Sequence, residues 1–140
     1  DERLKKQENP LPEAQEFAGK ISSADGVIII APEYNGGYPA SLKNVIDLLT
    51  DEWRGKPVAI SSVSDGPFGG TQVITSLQFT LWKMGAWTVP AMFPVPRVSE
   101  AFDEQGRPTD PESIGKRAAR FTGELIRCIG AKEFRPPTAD

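Results

Sequence analysis

The sequence has no histidine and a single cysteine, Cys128, among its 140 residues. Without histidine, Ser–His and Cys–His nucleophilic catalysis, the usual general base near neutral pH and the commonest metal ligand are all excluded. One cysteine excludes an internal disulfide and a cysteine-rich zinc centre, and it leans the reading towards a cytoplasmic protein. Positive charge is not in excess: 16 Lys and Arg stand against 19 Asp and Glu, for a net charge of -3 and a pI of about 5.1. The basic footprint of a nucleic-acid binder is therefore missing. Long apolar runs are also missing. The longest, Val27 to Ala31, suits a buried strand and falls far short of the roughly 18 to 20 residues of a membrane span. No Gly-Lys-Ser/Thr motif occurs, which speaks against nucleotide hydrolysis on a phosphate-binding loop. Any chemistry is left to carboxylates, hydroxyls, backbone groups or a borrowed cofactor.

What is present reads as one globular domain, with 39% hydrophobic and 25% charged residues. No signal-peptide pattern opens the chain at Asp1, and Asp1 to Pro12 reads as a charged connector entering the domain. Pro12 and Glu13 open a helix running towards Ala24. Val27 to Ala31 is expected as a strand apolar on both faces, as in the centre of a parallel sheet. A helix follows from Ser41 to Thr50, with Leu42, Val45, Ile46 and Leu49 at i, i+3, i+4 and i+7. The cycle repeats: a turn from Trp53 to Pro57, a strand over Val58–Val63, and a helix over Thr71–Met84 bearing Val73, Leu77, Leu81 and Met84 on one face. A third strand spans Trp87–Phe93, and Pro90 places it near the sheet edge. After a polar stretch from Arg97, Asp110 caps a last helix through Ile129, with Phe121, Leu125 and Ile129 inward and Gly130 as its stop. The tail from Phe134 reads as Pro-rich and mobile. Buried strands alternating with amphipathic helices predict an α/β fold, a parallel sheet covered by helices on both faces.

Ligands of such sheets bind at the carboxyl ends of the strands, where two glycine-bearing loops are expected to converge. The first is Pro32-Glu33-Tyr34-Asn35-Gly36-Gly37-Tyr38-Pro39. Its glycines allow close backbone approach to a flat ligand, and Tyr34 and Tyr38 either wall a ring or pack elsewhere. The second is Ser64-Asp65-Gly66-Pro67-Phe68-Gly69-Gly70, directly before a helix; without strict dinucleotide or phosphate-loop spacing it is equally readable as a tight turn. Lys43 and Asp47 read as an i, i+4 surface pair, Trp82 and Trp87 as core or interface residues, and Cys128 as a packing residue.

Ala31-Pro32-Glu33-Tyr34-Asn35, followed by Pro39, Leu42-Lys43-Asn44 and Ile46-Asp47, closely resembles the signature of the NADPH-dependent FMN reductases, a family of quinone, azo-dye and chromate reductases. The likeness continues through Gly55-Lys56-Pro57, the second glycine loop and Phe102-Asp103-Glu104-Gln105-Gly106, and so covers about Pro12 to Gly130. It implies a flavodoxin-like, three-layer α/β/α sheet of strand order 2-1-3-4-5. It also implies FMN as cofactor, with NADPH or NADH as hydride donor and a quinone, azo compound, metal oxyanion or free flavin as acceptor. Carried over, Pro32, Glu33, Tyr34, Asn35 and Gly36 meet the flavin's polar edge, while Ser64, Gly66, Phe68, Gly69 and Gly70 border the flavin and the nicotinamide approach. No side chain is required as acid or base, because the cofactor carries the chemistry. A homodimer or homotetramer is implied, its interface near the Ser41–Thr50 helix. The family pattern begins with a strand, a phosphate-binding loop, a helix and a second strand that this sequence does not show. The chain is thus expected to be a single domain representing the C-terminal three-quarters of the fold, to leave the edge of Val27–Ala31 unpaired, and to bind FMN weakly by itself. The competing reading is a non-enzymatic flavodoxin-like electron carrier or a flavin-free interaction module.

Overall fold

Three short apolar runs, each about the length of a strand, lie between helical repeats, and they pair in sequence order into one parallel sheet. The computed structural model describes residues 11–132; the expected connector and Pro-rich tail fall largely or wholly outside them. In chain order the elements are α1 (Pro12–Ser23), β1 (Val27–Pro32), α2 (Ala40–Asp47), a 3-10 turn (Asp51–Trp53), β2 (Pro57–Val63), α3 (Thr71–Lys83), β3 (Trp87–Val95), α4 (Val98–Ala101) and α5 (Pro111–Lys132). The sheet order is β1-β2-β3. Val27 sits opposite Val58 and Pro57 opposite Trp87.

Alternation along β2 divides the core into two layers, because successive side chains leave opposite faces of a strand. Val58 and Ile60, with Ile29 and Ala31 of β1, join Ile21, Ile46, Val73, Ile74, Leu77 and Leu81 of α1, α2 and α3. Ala59 and Val89 pack on the opposite face against Phe121 and Leu125 of α5, with Cys128 and Ile129 beside them. The result is the three-layer α/β/α arrangement expected. Pro90 lies within β3 where the register with β2 shifts between Val58 and Ile60. Among the described strands β3 borders only β2, as a strand lacking an N–H should.

The structure differs from the sequence expectations at four places. The last helix runs through Gly130 to Lys132, because a glycine stops a helix only where the chain leaves it in a left-handed turn. Trp53, read as a turn residue, is almost fully buried; its indole N–H donates to the Ile46 carbonyl at 3.0 Å and its ring meets Phe17 edge-on. Of the core and interface alternatives for Trp82 and Trp87, the core one is overturned, since both are exposed. Strand β1 has the unpaired edge expected, bordering only β2 among the described strands, but it is not buried on both faces: Ile29 and Ala31 are buried while Ile28 and Ile30, on the face α5 does not reach, are exposed. Along that edge runs an apolar groove of about 260 Å³ lined by residues including Phe17, Ile28, Ile30 and Val45.

Unpaired apolar edges promote association. Ile30 is 66% exposed, so Ile30→Lys should move the urea midpoint by no more than the equivalent of about 0.5 kcal/mol while lowering self-association in sedimentation. A cooperative loss of folding on this substitution would show that Ile30 is covered.

Candidate functional site

Parallel strands end at a common edge, and three connections meet there: residues 32–39 after β1, 64–70 after β2 and 96–101 after β3. In the first, the Tyr34 N–H donates to the Gly37 carbonyl at 2.8 Å and the Gly37 N–H to the Tyr34 carbonyl at 3.1 Å. The reversal between them uses Asn35 and Gly36 at φ 53° and 77°, the left-handed pair that Asn-Gly supplies most readily. The N–H groups of Asn35 and Gly36 have no hydrogen-bond partner among the described residues. Tyr34 is exposed beside them, whereas the Tyr38 hydroxyl is tied to the Thr80 hydroxyl of α3 at 2.6 Å. The loop is thus anchored at Tyr38 and open at Tyr34.

The second loop is held from within. The Ser62 hydroxyl donates to the Gly69 carbonyl at 2.6 Å, and the Gly66 N–H donates to the Ser64 hydroxyl at 2.9 Å. Gly69 and Gly70 are both left-handed and lead directly into α3, whose N-terminus has no side-chain cap. The Val73 N–H donates to the Gly70 carbonyl at 3.1 Å, the Thr71 and Gln72 amides have no partner among the described residues, and the helix end carries partial positive charge, which favours negative charge nearby. Phe68 is 80% exposed. The two loops touch: a methyl group at Gly70 would lie 3.2 Å from Cβ of Glu33, and one at Gly36 would lie 2.7 Å from Oε1 of Gln72. Pro32 to Gly36 and Ser64, Gly66, Phe68, Gly69 and Gly70 thus lie along one sheet edge.

The third connection carries no glycine signature and was not singled out by the sequence. The Ser64 N–H donates to the Val95 carbonyl at 3.1 Å, the Arg97 N–H to the Gly66 carbonyl at 3.2 Å and the Val98 N–H to the Ser64 carbonyl at 3.2 Å. These bonds hold Arg97 at φ 45°, a conformation costing a side-chain-bearing residue about 1 to 2 kcal/mol. Arginine has no special tolerance for it, so no composition rule marks the position. The Arg97 side chain is exposed and has no partner among the described residues. With Pro67, Pro96, Glu100 and Ala101 it lines a pocket of about 370 Å³.

The Ser99 hydroxyl and N–H both donate to Asp65 Oδ1, at 2.5 and 3.2 Å, and hold its carboxyl below the ordinary carboxylate range. A lowered folded pKa gives stability that is present above the unfolded value, ~3.9, and lost as pH falls through the folded one. The melting-temperature deficit of Ser99→Ala should therefore be largest near neutrality and shrink at pH values below ~3.9. A deficit unchanged down to pH 2 would contradict the staple.

A separate groove of about 300 Å³ lies between β3 and α5, lined by residues including Met92, Pro94, Arg117 and Arg120. Arg117 is already engaged there, over the Phe93 ring and on the Pro94 carbonyl. No cluster of three or more His, Cys, Asp or Glu suited to a metal occurs among the described residues, and no helix among them is long and apolar enough to cross a membrane.

Ligands of open parallel α/β sheets bind at the carboxyl ends of the strands, and here that edge carries two open, glycine-turned loops. The family model for NADPH-dependent FMN reductase matches residues 1–100, and the chain belongs to that family. An NAD(P)H-dependent FMN reductase of Schizosaccharomyces pombe is 42% identical over 76 residues, 54% of this chain and 37% of that protein. A quinone reductase of Escherichia coli K12 is 44% identical over 71 residues, 47% of this chain and 38% of the relative. The chain thus spans little more than a third of the length of these relatives. Among solved structures, the FerB flavoenzyme NAD(P)H:(acceptor) oxidoreductase of Paracoccus denitrificans superposes with a TM-score of 0.65 at 28% identity, over 89% of this chain and 70% of that one. An oxidoreductase of Corynebacterium diphtheriae shares the fold, with a TM-score of 0.67 over 86% of this chain and 64% of that one at 24% identity.

Proposed function

We propose that the protein is an FMN-dependent NAD(P)H oxidoreductase whose flavin ring lies across the carboxyl edge of the sheet, between the 32–36 and 64–70 loops. The observation that carries this reading is the meeting of two left-handed, glycine-turned loops, the first with the free amides of Asn35 and Gly36 beside exposed Tyr34 and the second with exposed Phe68. Pro32 to Gly36 supply polar backbone to one edge of the ring. Gly69 and Gly70 let the second loop close on Pro96 and Glu33 and so draw the loops together at the ring, Ser64 fixes the loop through Gly66, and Phe68 offers an apolar face. When bound, FMN supplies hydride acceptance from a nicotinamide and electron donation to an acceptor. The uncapped N-terminus of α3 stabilises negative charge at this edge, and no protein acid or base is needed. The exposed loops suit a small acceptor such as a quinone, azo compound, metal oxyanion or free flavin. Exposed Phe79 and Trp82, with ring centroids 5.9 Å apart on α3, form an apolar surface suited to a homo-oligomer. The single cysteine supports a cytoplasmic location.

The test is anaerobic addition of NADPH to the FMN-supplemented chain, followed in the visible. Bleaching of the flavin band faster than for free FMN is expected. Rates indistinguishable from free FMN at saturating protein would sink the reading.

A further inference from the structure

The three loops at the carboxyl edge carry three carboxylates, Glu33, Asp65 and Glu100, and a single cation, Arg97. Every nicotinamide dinucleotide brings a pyrophosphate to its site. At an edge this acidic, a phosphate meets repulsion everywhere except at Arg97 and at backbone amides. Arg97 is also the side-chain-bearing residue bent into a left-handed conformation between the glycine loop and α4, with its guanidinium exposed in a pocket and unpartnered among the described residues. A glycine would satisfy the turn without strain, so the turn itself does not call for an arginine. Its backbone is bonded to Gly66, and Gly69 packs against Val95 and Pro96. The side chain is thereby attached to the loop assigned above to the flavin and the nicotinamide approach.

We propose that Arg97 is the residue that recognises a phosphate of the dinucleotide hydride donor, with Glu100 across the same pocket confining that phosphate to the arginine side. The inference rests on the reductase reading above. Asp65 is bonded to Ser99 and contributes background repulsion common to all variants.

The test is calorimetric titration of NADP⁺ into the FMN-loaded full chain and three variants. Arg97→Gln should weaken binding by roughly tenfold or more, the size of one charge-assisted hydrogen bond, and should flatten its salt dependence. Glu100→Gln should tighten binding. Arg97→Gly, which relieves the backbone, should melt no lower than the parent yet bind as weakly as Arg97→Gln, which separates recognition from structural support. FMN uptake is scored separately from the visible spectrum. A chain that takes up no FMN sinks the reductase reading and this inference with it. A loaded chain whose Arg97→Gln and Arg97→Gly variants bind NADP⁺ as tightly as the parent, or whose Glu100→Gln variant weakens binding as Arg97→Gln does, overturns this inference alone.

Discussion

Gly69→Ala is expected to cost about 2 to 5 kcal/mol of folding stability, the sum of left-handed strain and overpacking, and to disrupt the site with it. The residue has φ 62°, and an added Cβ would lie 2.9 Å from the Pro96 nitrogen and 3.1 Å from both the Val95 carbonyl carbon and Pro94 Cβ. The nearest of these atoms are backbone, in a segment fixed by hydrogen bonds to Ser64 and Gly66, so relief requires the second and third loops to part. Two other glycines separate the contributions. Gly55 has φ 65° with nothing within 4 Å of an added Cβ; its alanine variant should show the conformational cost alone, about 1 to 2 kcal/mol. Gly66 has no positive φ, and its added Cβ would meet only the Ser64 hydroxyl at 3.2 Å, so its variant should be milder still. Urea denaturation of the three variants gives the order. Gly69→Ala no worse than Gly55→Ala would show that the loops are not packed as described.

Trp53→Ala is expected to cost about 3 to 5 kcal/mol, a large share of the 5 to 15 kcal/mol that holds an ordinary domain folded. The substitution removes a buried ring from between α1 and α2 and leaves the Ile46 carbonyl without its indole donor. The damage should reach the site, because the 32–39 loop is suspended between β1 and the start of α2. Trp53→Phe keeps most of the apolar volume but not the donor, and should cost about 1 to 3 kcal/mol, the desolvation penalty of an unpaired buried group. Chemical denaturation followed by far-UV circular dichroism measures both. A loss below about 1 kcal/mol for Trp53→Ala would mean that α1 and α2 pack without it.

Much of this fold is legible in the sequence because its signals are local. The i, i+3, i+4 spacing in Thr71–Met84 and the β-branched run Val27–Ala31 correspond to α3 and β1 within one or two residues at each end. Asp110 caps the last helix as expected, accepting from the Ser113 N–H at 3.0 Å. The Lys43–Asp47 pair forms. Pro90 marks the outer strand because a missing N–H is tolerated only where no ladder bond is needed. What was not legible depends on long-range placement. Trp53 looked like a turn residue since nothing in Asp51–Pro57 reports that the side chain folds back on α2. Gly130 looked like a stop, yet the helix continues. The two glycine loops announced themselves by composition. Arg97 did not, because its left-handed backbone is imposed by Ser64 and Gly66, some 30 residues earlier in the chain.

On the function proposed, the flavin ring lies between the 32–36 and 64–70 loops, with Arg97 and Val98 bonded to the second of them. The most direct measurement is an amide-resolved NMR titration of the chain with FMN, which reports the location of binding even when affinity is weak. Shifts concentrated at Glu33 to Gly37, Ser64 to Thr71 and Arg97 to Ser99 are predicted, with ring-current displacements largest beside Tyr34 and Phe68. Shifts centred instead on Met92, Arg117 and Arg120, or none at saturating FMN, would contradict it.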